Sequence, residues 1–401
     1  MSSRPYPSVT VTEKAEKSIV GGHPWVYGDE ITGLRGELCD GGIADVFSKK
    51  GSWLGAGYYN SASKIRVRLL SRNANDRFDT AFYARKLAWA VEYRRQVMGG
   101  DFSCCRLVFG EADGLPGLTV DRFGDIIVIQ IACLGLEKVK QIIVAELLAI
   151  MRRAGEHISA VYERNDLPLR EKEGLTQGKG FLWGEGSGLT QISENGLIYN
   201  VDYINGQKTG FFLDQKYNRA AVSRVARGKR VLDCFTHTGA FAMNAAAGGA
   251  QSVTAVDVSA EALSRAEENA RQNGLDINFV QADVFDMLTS MAEEKKRDYD
   301  FIILDPPAFT KSSKTVAAAI GGYREINTKA MKLLPRGGYL ATCSCSHFMT
   351  DSLFRKMLAA AASDAGVALR QIEGRQQAPD HPILWGVEET DYLKFYIFQI
   401  V

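Results

Sequence analysis

The first 72 residues contain short runs in which apolar and polar side chains alternate, with glycine-rich turns between them. Alternation with a period of two is typical of half-buried β-strands, because successive side chains point to opposite faces of the sheet. The pattern predicts strands at residues 8–11, 42–47, 53–59 and 64–70. Short strands joined by such turns indicate a small β-barrel, which we assign to residues 1–72.

The period becomes helical at residues 78–98, where apolar residues recur every three or four positions. Beyond this helix the chain shows four apolar runs of strand length and one further helical pattern. The strands are predicted at residues 106–110, 118–122, 126–134 and 160–163, and the helix at residues 136–154. We therefore expect a central α+β domain at residues 73–190.

From residue 191 onwards strands and helices alternate regularly, after a segment at 192–202 that resembles a β-hairpin. The predicted strands are 231–235, 252–258, 278–282, 301–305 and 338–343, and the predicted helices are 239–247, 260–273, 317–334 and 351–366. Repeated β-α-β units predict a parallel sheet with helices on both faces. The predicted fold class is thus α/β, with a Rossmann-like domain at residues 191–401.

Composition is that of a water-soluble globular protein, with 46% hydrophobic and 24% charged residues among 401. The longest apolar stretches are far shorter than the roughly 20 residues that a membrane-spanning helix needs. The amino terminus lacks the plan of a signal peptide, so we expect a cytoplasmic protein without membrane contact. Seven cysteines without a CxxC pair predict neither a disulfide framework nor a metal site.

Three strands of the predicted α/β domain end in an aspartate: Asp233, Asp257 and Asp283. The carboxyl ends of parallel strands lie at one edge of the sheet, where α/β proteins bind their ligands. Asp257 is placed to accept both ribose hydroxyl protons of a nucleoside, and Asp283 to bind an adenine amino group. A single aspartate at a strand end is more often a helix cap, but three in register predict a nucleoside cofactor.

The turn after Asp233 brings backbone N–H groups and the start of a helix to the same edge. Its predicted cofactor contacts are Phe235, Thr238 and Gly239. The turn has one glycine where the dinucleotide fingerprint requires three, which makes NAD the weaker alternative.

A second set of cofactor contacts is predicted upstream, in the segment Gln207-Lys-Thr-Gly-Phe-Phe-Leu-Asp-Gln215. We interpret this segment as a flap over the cofactor that contributes Phe211 and Asp214. The alternative interpretation is a loop with a buried phenylalanine pair.

The strand at 301–305 ends in Asp305-Pro306-Pro-Ala-Phe309. Two prolines after a buried strand fix the backbone and remove N–H donors, which leaves carbonyl groups and the Asp305 carboxylate facing a flat polar group. The motif favours methyl transfer to a nucleobase or a planar amide. We assign Asp305 a catalytic role and place both Asp305 and Pro306 at the cofactor pocket.

The last predicted strand of this series leads into Cys343-Ser-Cys345. Both cysteines share one face, and Cys345 stands closer to the carboxyl end of the strand. C5 of cytosine is too weak a nucleophile to accept a methyl group directly, but a thiolate that adds to C6 makes C5 enolate-like. Cys345 is therefore the predicted nucleophile, whereas Cys343 is interpreted as a packed apolar residue.

A net charge of +1 argues against binding nucleic acid by bulk attraction. Residues 64–72, however, alternate basic and apolar side chains, which predicts a strand with one solvated basic face. An edge strand protected by charge against aggregation is the alternative. The predicted RNA surface combines the helical segment 85–95 with five named side chains: Lys64, Arg66, Arg68, Lys311 and Lys314.

Taken together, four motifs resemble the bacterial ribosomal RNA large subunit methyltransferase I family. They are the segment 207–215 quoted above, Asp233-Cys-Phe-Thr-His-Thr-Gly239, Asp305-Pro-Pro-Ala-Phe309 and Ser344-Cys-Ser346. Residues 22–27 look like the PUA domain of that family, 170–174 like part of its central domain, and 378–382 also match. The resemblance covers nearly the whole chain.

This resemblance implies a PUA domain, a central domain and a methyltransferase domain that uses S-adenosyl-L-methionine. It implies 5-methylcytosine formation in 23S rRNA, free or in a precursor of the large ribosomal subunit, with Cys345 as nucleophile. The residues implied to line the cofactor pocket are Asp233, Asp257, Asp283 and Asp305. Better known RNA cytosine-C5 enzymes have a second cysteine where this chain has Ala308, so another base must assist release of the adduct.

Other functions stay open. Related enzymes carry Asp-Pro-Pro-x-Phe without the later cysteine, so methylation of a guanine nitrogen in rRNA is one alternative. A non-catalytic RNA-binding or ribosome-assembly factor is another, and a protein or small-molecule substrate is a third. A homodimer is compatible with the sequence. His347 is a candidate to activate the thiol or to remove the C5 proton, with a solvated loop histidine as the alternative, and a part for His381 stays open.

Overall fold

The computed structural model describes residues 4–294, 296–310 and 312–401. The chain forms two compact units, each built from three segments. The first unit comprises Met1–Ile192, Val201–Leu213 and Pro379–Thr390, and the second comprises Ser193–Asn200, Asp214–Ala378 and Asp391–Val401. The division into domains at 1–72, 73–190 and 191–401 remains our proposal.

The first unit begins with a six-stranded sheet of strand order β2-β6-β5-β4-β1-β3. Its elements are β1 (Ser8–Val11), α1 (Glu13–Val20), β2 (Trp25–Tyr27), β3 (Ile31–Arg35), β4 (Ile43–Ser48), β5 (Trp53–Tyr59) and β6 (Ile65–Ser71). The four predicted strands are present, as β1, β4, β5 and β6. The sequence did not predict α1, which begins after Thr12, whose hydroxyl accepts a hydrogen bond from the Ala15 N–H.

A five-stranded sheet of order β11-β10-β9-β8-β7 follows in the same unit. Its elements are α2 (Thr80–Met98), β7 (Cys104–Phe109), β8 (Leu118–Phe123), β9 (Ile126–Ile131), α3 (Leu134–Lys138), α4 (Lys140–Arg153), β10 (Ala160–Asn165), α5 (Pro168–Glu171) and β11 (Gly178–Gly184). The helix predicted at 136–154 is two helices, since the backbone leaves the helical conformation at Val139. Two further strands, β12 (Leu189–Glu194) and β13 (Leu197–Asp202), form a separate two-stranded sheet, as predicted for 192–202.

The second unit is an α/β domain around a seven-stranded sheet of order β16-β15-β14-β17-β18-β20-β19. Its elements are α6 (Lys216–Ala226), β14 (Arg230–Cys234), α7 (Ala240–Ala247), β15 (Ser252–Asp257), α8 (Ala260–Gln272), β16 (Asn278–Gln281), α9 (Val284–Glu293), β17 (Phe301–Leu304), α10 (Val316–Leu333), β18 (Tyr339–Ser344), α11 (Asp351–Ala365), β19 (Leu369–Arg375) and β20 (Lys394–Ile400). All five predicted strands and all four predicted helices are present within one or two residues of their predicted bounds.

The sheet departs from the predicted all-parallel arrangement at one side. β20 lies between β18 and β19 and is antiparallel to both. The β-α-β period could not indicate this, because β20 follows β19 through an irregular segment rather than through a crossover helix.

The core of the second unit lies in two layers, one on each face of this sheet. Alternate side chains of β14 and β17 divide between the layers, as the period of a strand requires. One layer contains Leu232 and Leu304 with the side chains of α10 and α11, and the other contains Val231 and Ile303 with those of α6 and α7.

Within the residues described, none of the helices is both long enough and apolar enough to cross a membrane.

Candidate cofactor and reaction site

The carboxyl ends of the central strands of the second unit meet at one edge of the sheet. Cys234 of β14 lies opposite Leu304 of β17, and Leu304 lies opposite Thr342 of β18. The residues that follow these strands therefore gather in one place, as the sequence predicted for the edge that binds ligands.

Asp233 has the carboxylate best suited to hold a cationic group. Its side chain is fully buried, and its Oδ2 accepts hydrogen bonds from the Thr236 hydroxyl at 2.5 Å and the Ala242 N–H at 2.9 Å. Its Oδ1 has no hydrogen-bond partner among the described residues. Burial raises the pKa of Asp233 to about 7, and the nearby Asp305 and Asp257 charges add to the increase. A buried acceptor without a donor fits the ammonium group of an amino-acid moiety such as that of S-adenosylmethionine.

The turn after Asp233 has an unusual backbone. Phe235, His237 and Gly239 all have positive φ angles, of 64°, 51° and 81°. Such φ values are uncommon for residues with a Cβ atom and concentrate at functional sites. A Cβ atom on Gly239 would lie 3.0 Å from the Cβ atom of Ala266, so a larger residue would push α8 away. The turn is therefore held in a strained shape at the strand ends.

Asp257 is oriented by the same turn. Its Oδ2 accepts a hydrogen bond from the His237 N–H and its Oδ1 one from the Ser259 N–H, both at 2.9 Å. Each carboxylate oxygen keeps a second lone pair, which suits the paired hydroxyls of a ribose. The next residue, Val258, is 68% exposed. Sequence reasoning missed Val258, although an apolar residue directly after a strand-end aspartate is a signal for a surface that packs on a flat ring.

Asp283 is a helix cap, the alternative weighed for every strand-end aspartate. Its Oδ1 accepts hydrogen bonds from the N–H groups of Phe285 at 2.8 Å and Asp286 at 3.2 Å, at the start of α9. Capping uses one carboxylate oxygen and fixes the direction of the other. A cofactor contact through Oδ2 therefore stays a prediction.

Asp305 lies at the centre of a network that the sequence did not predict. Its Oδ1 accepts hydrogen bonds from the Cys343 thiol at 2.9 Å and from Gln215 Nε2 at 3.2 Å. Burial raises the pKa of Asp305 to about 6, and the charge of Asp214 acts in the same direction. Near neutral pH both protonation states of this carboxyl are accessible, as general acid–base chemistry requires.

The two cysteines of β18 differ in their surroundings. Cys343 is fully buried, and its thiol donates a hydrogen bond to Asp305. Burial raises the pKa of this thiol well above the usual value. The interpretation of Cys343 as a packed core residue is confirmed, and its thiol in addition donates a hydrogen bond to a carboxyl group of the site. Cys345 lies one residue beyond β18 at the edge of a core layer and keeps intermediate exposure. Of these two residues, Cys343 is buried and Cys345 is partly exposed.

Lys394 is a buried lysine that the sequence analysis missed. It begins β20, where it lies opposite Ser344, and its Nζ donates hydrogen bonds to the carbonyls of Ser346 at 2.6 Å and Tyr392 at 2.9 Å. Burial lowers the pKa of Lys394 to about 8, and the charges of Asp391, Cys345 and Asp351 partly offset this effect. A cation thus lies within electrostatic range of Cys345. A lysine at the head of a strand that is otherwise apolar except for Gln399 was the available signal.

The other residues predicted to contact the cofactor lie in different surroundings. Asp214 accepts a hydrogen bond from the Tyr392 hydroxyl at 2.6 Å. Pro306 is buried after β17, Thr238 is buried in the turn, and Phe235 packs against Phe285. Phe211 is a buried residue of the first unit, so its contact with the cofactor stays a prediction.

The predicted basic face of β6 is wrong at Arg68. This side chain is buried and forms an ion pair with Glu173 at 2.8 Å. The physical reason is that a buried carboxylate compensates the arginine, so the strand turns this charge inward. Arg66 donates to the carbonyls of Asn60 and Ser61, Lys64 and Lys314 are exposed, and Lys311 lies outside the described residues.

The comparison with family models gives two matches. Residues 146–398, more than half of the chain, match the model of S-adenosylmethionine-dependent methyltransferases, and residues 9–72 match that of PUA-like domains.

Among curated proteins, the chain is 38% identical over 406 residues to "Ribosomal RNA large subunit methyltransferase I" of Klebsiella pneumoniae (strain 342), with 100% of both chains covered. Among solved structures it is similar to a proposed S-adenosylmethionine-dependent methyltransferase from Streptococcus mutans, with a TM-score of 0.82 at 24% identity over 98% of this chain and 99% of the other. A proposed methyltransferase complexed with SAH gives the same TM-score at 23% identity, with the same coverage. At such identities the structures show the fold alone.

Proposed function

The chain belongs to the ribosomal RNA large subunit methyltransferase I family of S-adenosylmethionine-dependent enzymes, and from this premise we propose that it forms 5-methylcytosine in 23S rRNA through a covalent adduct with Cys345. The observation that carries the proposal is the partly exposed Cys345, which lies two residues beyond Cys343, whose thiol donates a hydrogen bond to Asp305. A methyltransferase acting on a guanine nitrogen needs no thiol at this place.

Cys345 suits the role of nucleophile better than Cys343. The buried Cys343 is held as a thiol, since burial and the Asp305 charge oppose its ionisation. The Lys394 cation interacts favourably with a negative charge at Cys345. Burial thus opposes ionisation of the Cys343 thiol, whereas the Lys394 cation favours a thiolate at Cys345.

In the proposed reaction the Cys345 sulfur forms a bond to C6 of the cytosine, and the electrons of the C5–C6 double bond move toward the N3 and O2 side of the ring. C5 then has the electron density to take up a methyl group, and bound S-adenosylmethionine supplies that methyl as an electrophile. A general base removes the C5 proton, the C5–C6 double bond forms again and the sulfur leaves C6. Since Ala308 occupies the place of a second cysteine, the base is a group other than a thiol there.

Asp305 is the proposed partner of the base edge. When ionised, its carboxylate accepts a hydrogen bond from the exocyclic amino group of cytosine, and when protonated it donates one to N3. A pKa near 6 makes both forms available. Cys343 and Gln215 bind the same Oδ1 and leave Oδ2 for the substrate. Donation to N3 stabilises the charge that develops when the sulfur adds to C6.

The identity of the product tests the proposal directly. Purified protein, labelled S-adenosylmethionine and 23S rRNA are incubated, and the RNA is digested to nucleosides that are separated by chromatography with mass spectrometry. We expect the label in 5-methylcytidine. Label in a methylguanosine would overturn the cytosine assignment while leaving the enzyme class intact.

Replacement of Lys394 tests the electrostatic support of Cys345. We expect Lys394→Met to lower kcat roughly tenfold at neutral pH. The reason is that loss of the cation destabilises the Cys345 thiolate, and a destabilisation of one pKa unit corresponds to about 1.4 kcal/mol, or tenfold in the thiolate population. The rate of this variant should recover as the pH rises, since ionisation then no longer depends on the cation. The measurement is a pH–rate profile with saturating RNA, with Lys394→Arg as the control that keeps the charge. An unchanged profile shape with reduced thermal stability would show a structural role only.

A further inference from the structure

The first unit contains a groove of about 600 Å³ where the end of β6 meets α2. A volume of this size is typical of sites for small ligands and accommodates a nucleotide. The groove is lined by Leu70, Arg72, Arg85, Lys86, Trp89 and Leu384, with further residues around them.

Trp89 is the main aromatic surface of this groove. It lies on α2 and is 60% exposed, which is unusual for so large an apolar side chain. The guanidinium carbon of Arg85 lies 5.5 Å from the centre of the indole, and Lys86 Nζ lies 6.0 Å from it. An exposed indole flanked by cations is a surface on which unstacked nucleobases pack, with the cations facing the phosphates.

The groove has uncompensated positive charge. In the part of the chain that the structure describes, neither Arg72 nor Lys86 makes an ion pair or a hydrogen bond. Lys86 is partly buried, and burial lowers the pKa of its ammonium group, so its charge is costly without a counter-ion, whereas Arg72 lines the same groove as an exposed side chain. An anion in the groove would remove this cost.

Within the described residues, the acidic residues of the groove form no ion pair with these two cations, although the charge of Asp76 acts on Lys86 at longer range. Asp76 forms an ion pair with Arg85 at 2.7 Å and accepts a hydrogen bond from the Ser71 hydroxyl at 2.5 Å. Glu111 accepts a hydrogen bond from Trp25 Nε1 at 3.0 Å. Both carboxylates are therefore engaged, and Arg72 and Lys86 remain for a ligand.

We propose that this groove binds a single-stranded nucleotide of the RNA substrate, with its base stacked on Trp89 and its phosphate paired with Arg72 and Lys86. This inference rests on the proposed function for the identity of the polymer. It moves the RNA surface away from the inward-facing Arg68 to the end of the same strand. Duplex RNA would not fill the site, because its bases are stacked on one another and present no free face.

The test measures the binding of a fluorescein-labelled oligouridine to the full-length protein by fluorescence anisotropy over a series of salt concentrations. We expect Trp89→Ala to weaken binding about tenfold, within the 1–3 kcal/mol of one stacked base, and Trp89→Phe to keep most of the affinity. Arg72→Gln should weaken binding and reduce the slope of log Kd against log salt by about one, as for one lost phosphate contact.

Two exposed residues of the same unit provide matched controls. Trp183 on β11 is 42% exposed, and Arg152 near the end of α4 is exposed and lies outside the predicted RNA surface. Trp183→Ala and Arg152→Gln are expected to bind oligouridine as the wild type does. A duplex of the same length should bind more weakly and without dependence on Trp89.

The groove assignment is overturned if wild-type protein does not bind oligouridine, if Trp89→Ala and Arg72→Gln bind it normally, or if Trp183→Ala is equally impaired. Binding of a polyglutamate peptide with the same dependence on Trp89 would also overturn it, in favour of an acidic protein partner. The proposed function fails separately: a product other than 5-methylcytidine removes the cytosine chemistry but leaves a positive binding result in place.

Discussion

Cys345→Ser is expected to lose methyl transfer to RNA by roughly 10³-fold or more, the scale on which loss of a covalent nucleophile acts. A serine hydroxyl is about as large as the thiol but is far less ionised, so cofactor binding should be unchanged while adduct formation stops. Transfer of labelled methyl groups to 23S rRNA and calorimetric titration with S-adenosylmethionine measure the two properties separately.

A trapping experiment makes this prediction specific to covalent catalysis. RNA that contains 5-fluorocytidine has no C5 proton to remove, so the sulfur cannot leave after methyl transfer and a covalent protein–RNA complex accumulates. We expect this complex on a denaturing gel with wild-type protein and with Cys39→Ser, an exposed cysteine of the first unit. It should be absent with Cys345→Ser. Methylation by Cys345→Ser at an undiminished rate would exclude the covalent mechanism.

Asp233→Asn is expected to weaken S-adenosylmethionine binding by at least about 30-fold, since removal of one partner of a buried charge pair costs about 2 kcal/mol or more. In wild-type protein the affinity should fall about tenfold between pH 8 and pH 6. The pKa of Asp233 in the free protein is about 7, and the bound ammonium group requires the ionised carboxylate, so binding at low pH must first release a proton. Calorimetric titrations across this pH range measure both effects.

The stability of the unliganded protein should depend on pH in the opposite direction from cofactor affinity: it should fall as the pH rises. The folded-state pKa of Asp233 is raised above its unfolded value of 3.8, so its contribution to stability is present at low pH and is lost as the pH rises through about 7. Asp233→Asn should therefore unfold at a higher temperature than wild type at pH 8, and the difference should be smaller at pH 5 and vanish below pH 3.8. A variant that loses both cofactor binding and thermal stability at pH 8 would mean that Asp233 is structural.

Much of the geometry at the strand ends could be predicted because its signals are local. Asp233 and Asp257 each end an apolar strand, and parallel strands with helical crossovers bring their carboxyl ends together whatever the side chains elsewhere. The positive φ angles at Phe235 and His237 could not be predicted, because these residue types rarely adopt them without support from the surrounding fold.

The surroundings of Cys343 and Cys345 depend on contacts between residues that are distant in sequence, so fewer of them could be predicted. The pairing of Ser344 with Lys394 exists only because β20 inserts between β18 and β19. The hydrogen bond from Cys343 to Asp305 likewise joins two strands whose relative register no local pattern specifies. The prediction of a solvated Arg68 was wrong for the same reason, since its ion-pair partner Glu173 lies far along the chain.

The insertion of β20 also has a consequence for how the protein reaches its native state. Until β20 docks, β18 is an unpaired edge, and β20 itself is the seven-residue segment KFYIFQI, with a single charge and high β-propensity. Pairing of this kind closes a long loop and is expected to be slow. We therefore expect the strands that carry the cofactor residues to form before β20 pairs with β18. During that interval the edge of β18, next to Cys345, would be the segment most in need of protection by chaperones against aggregation.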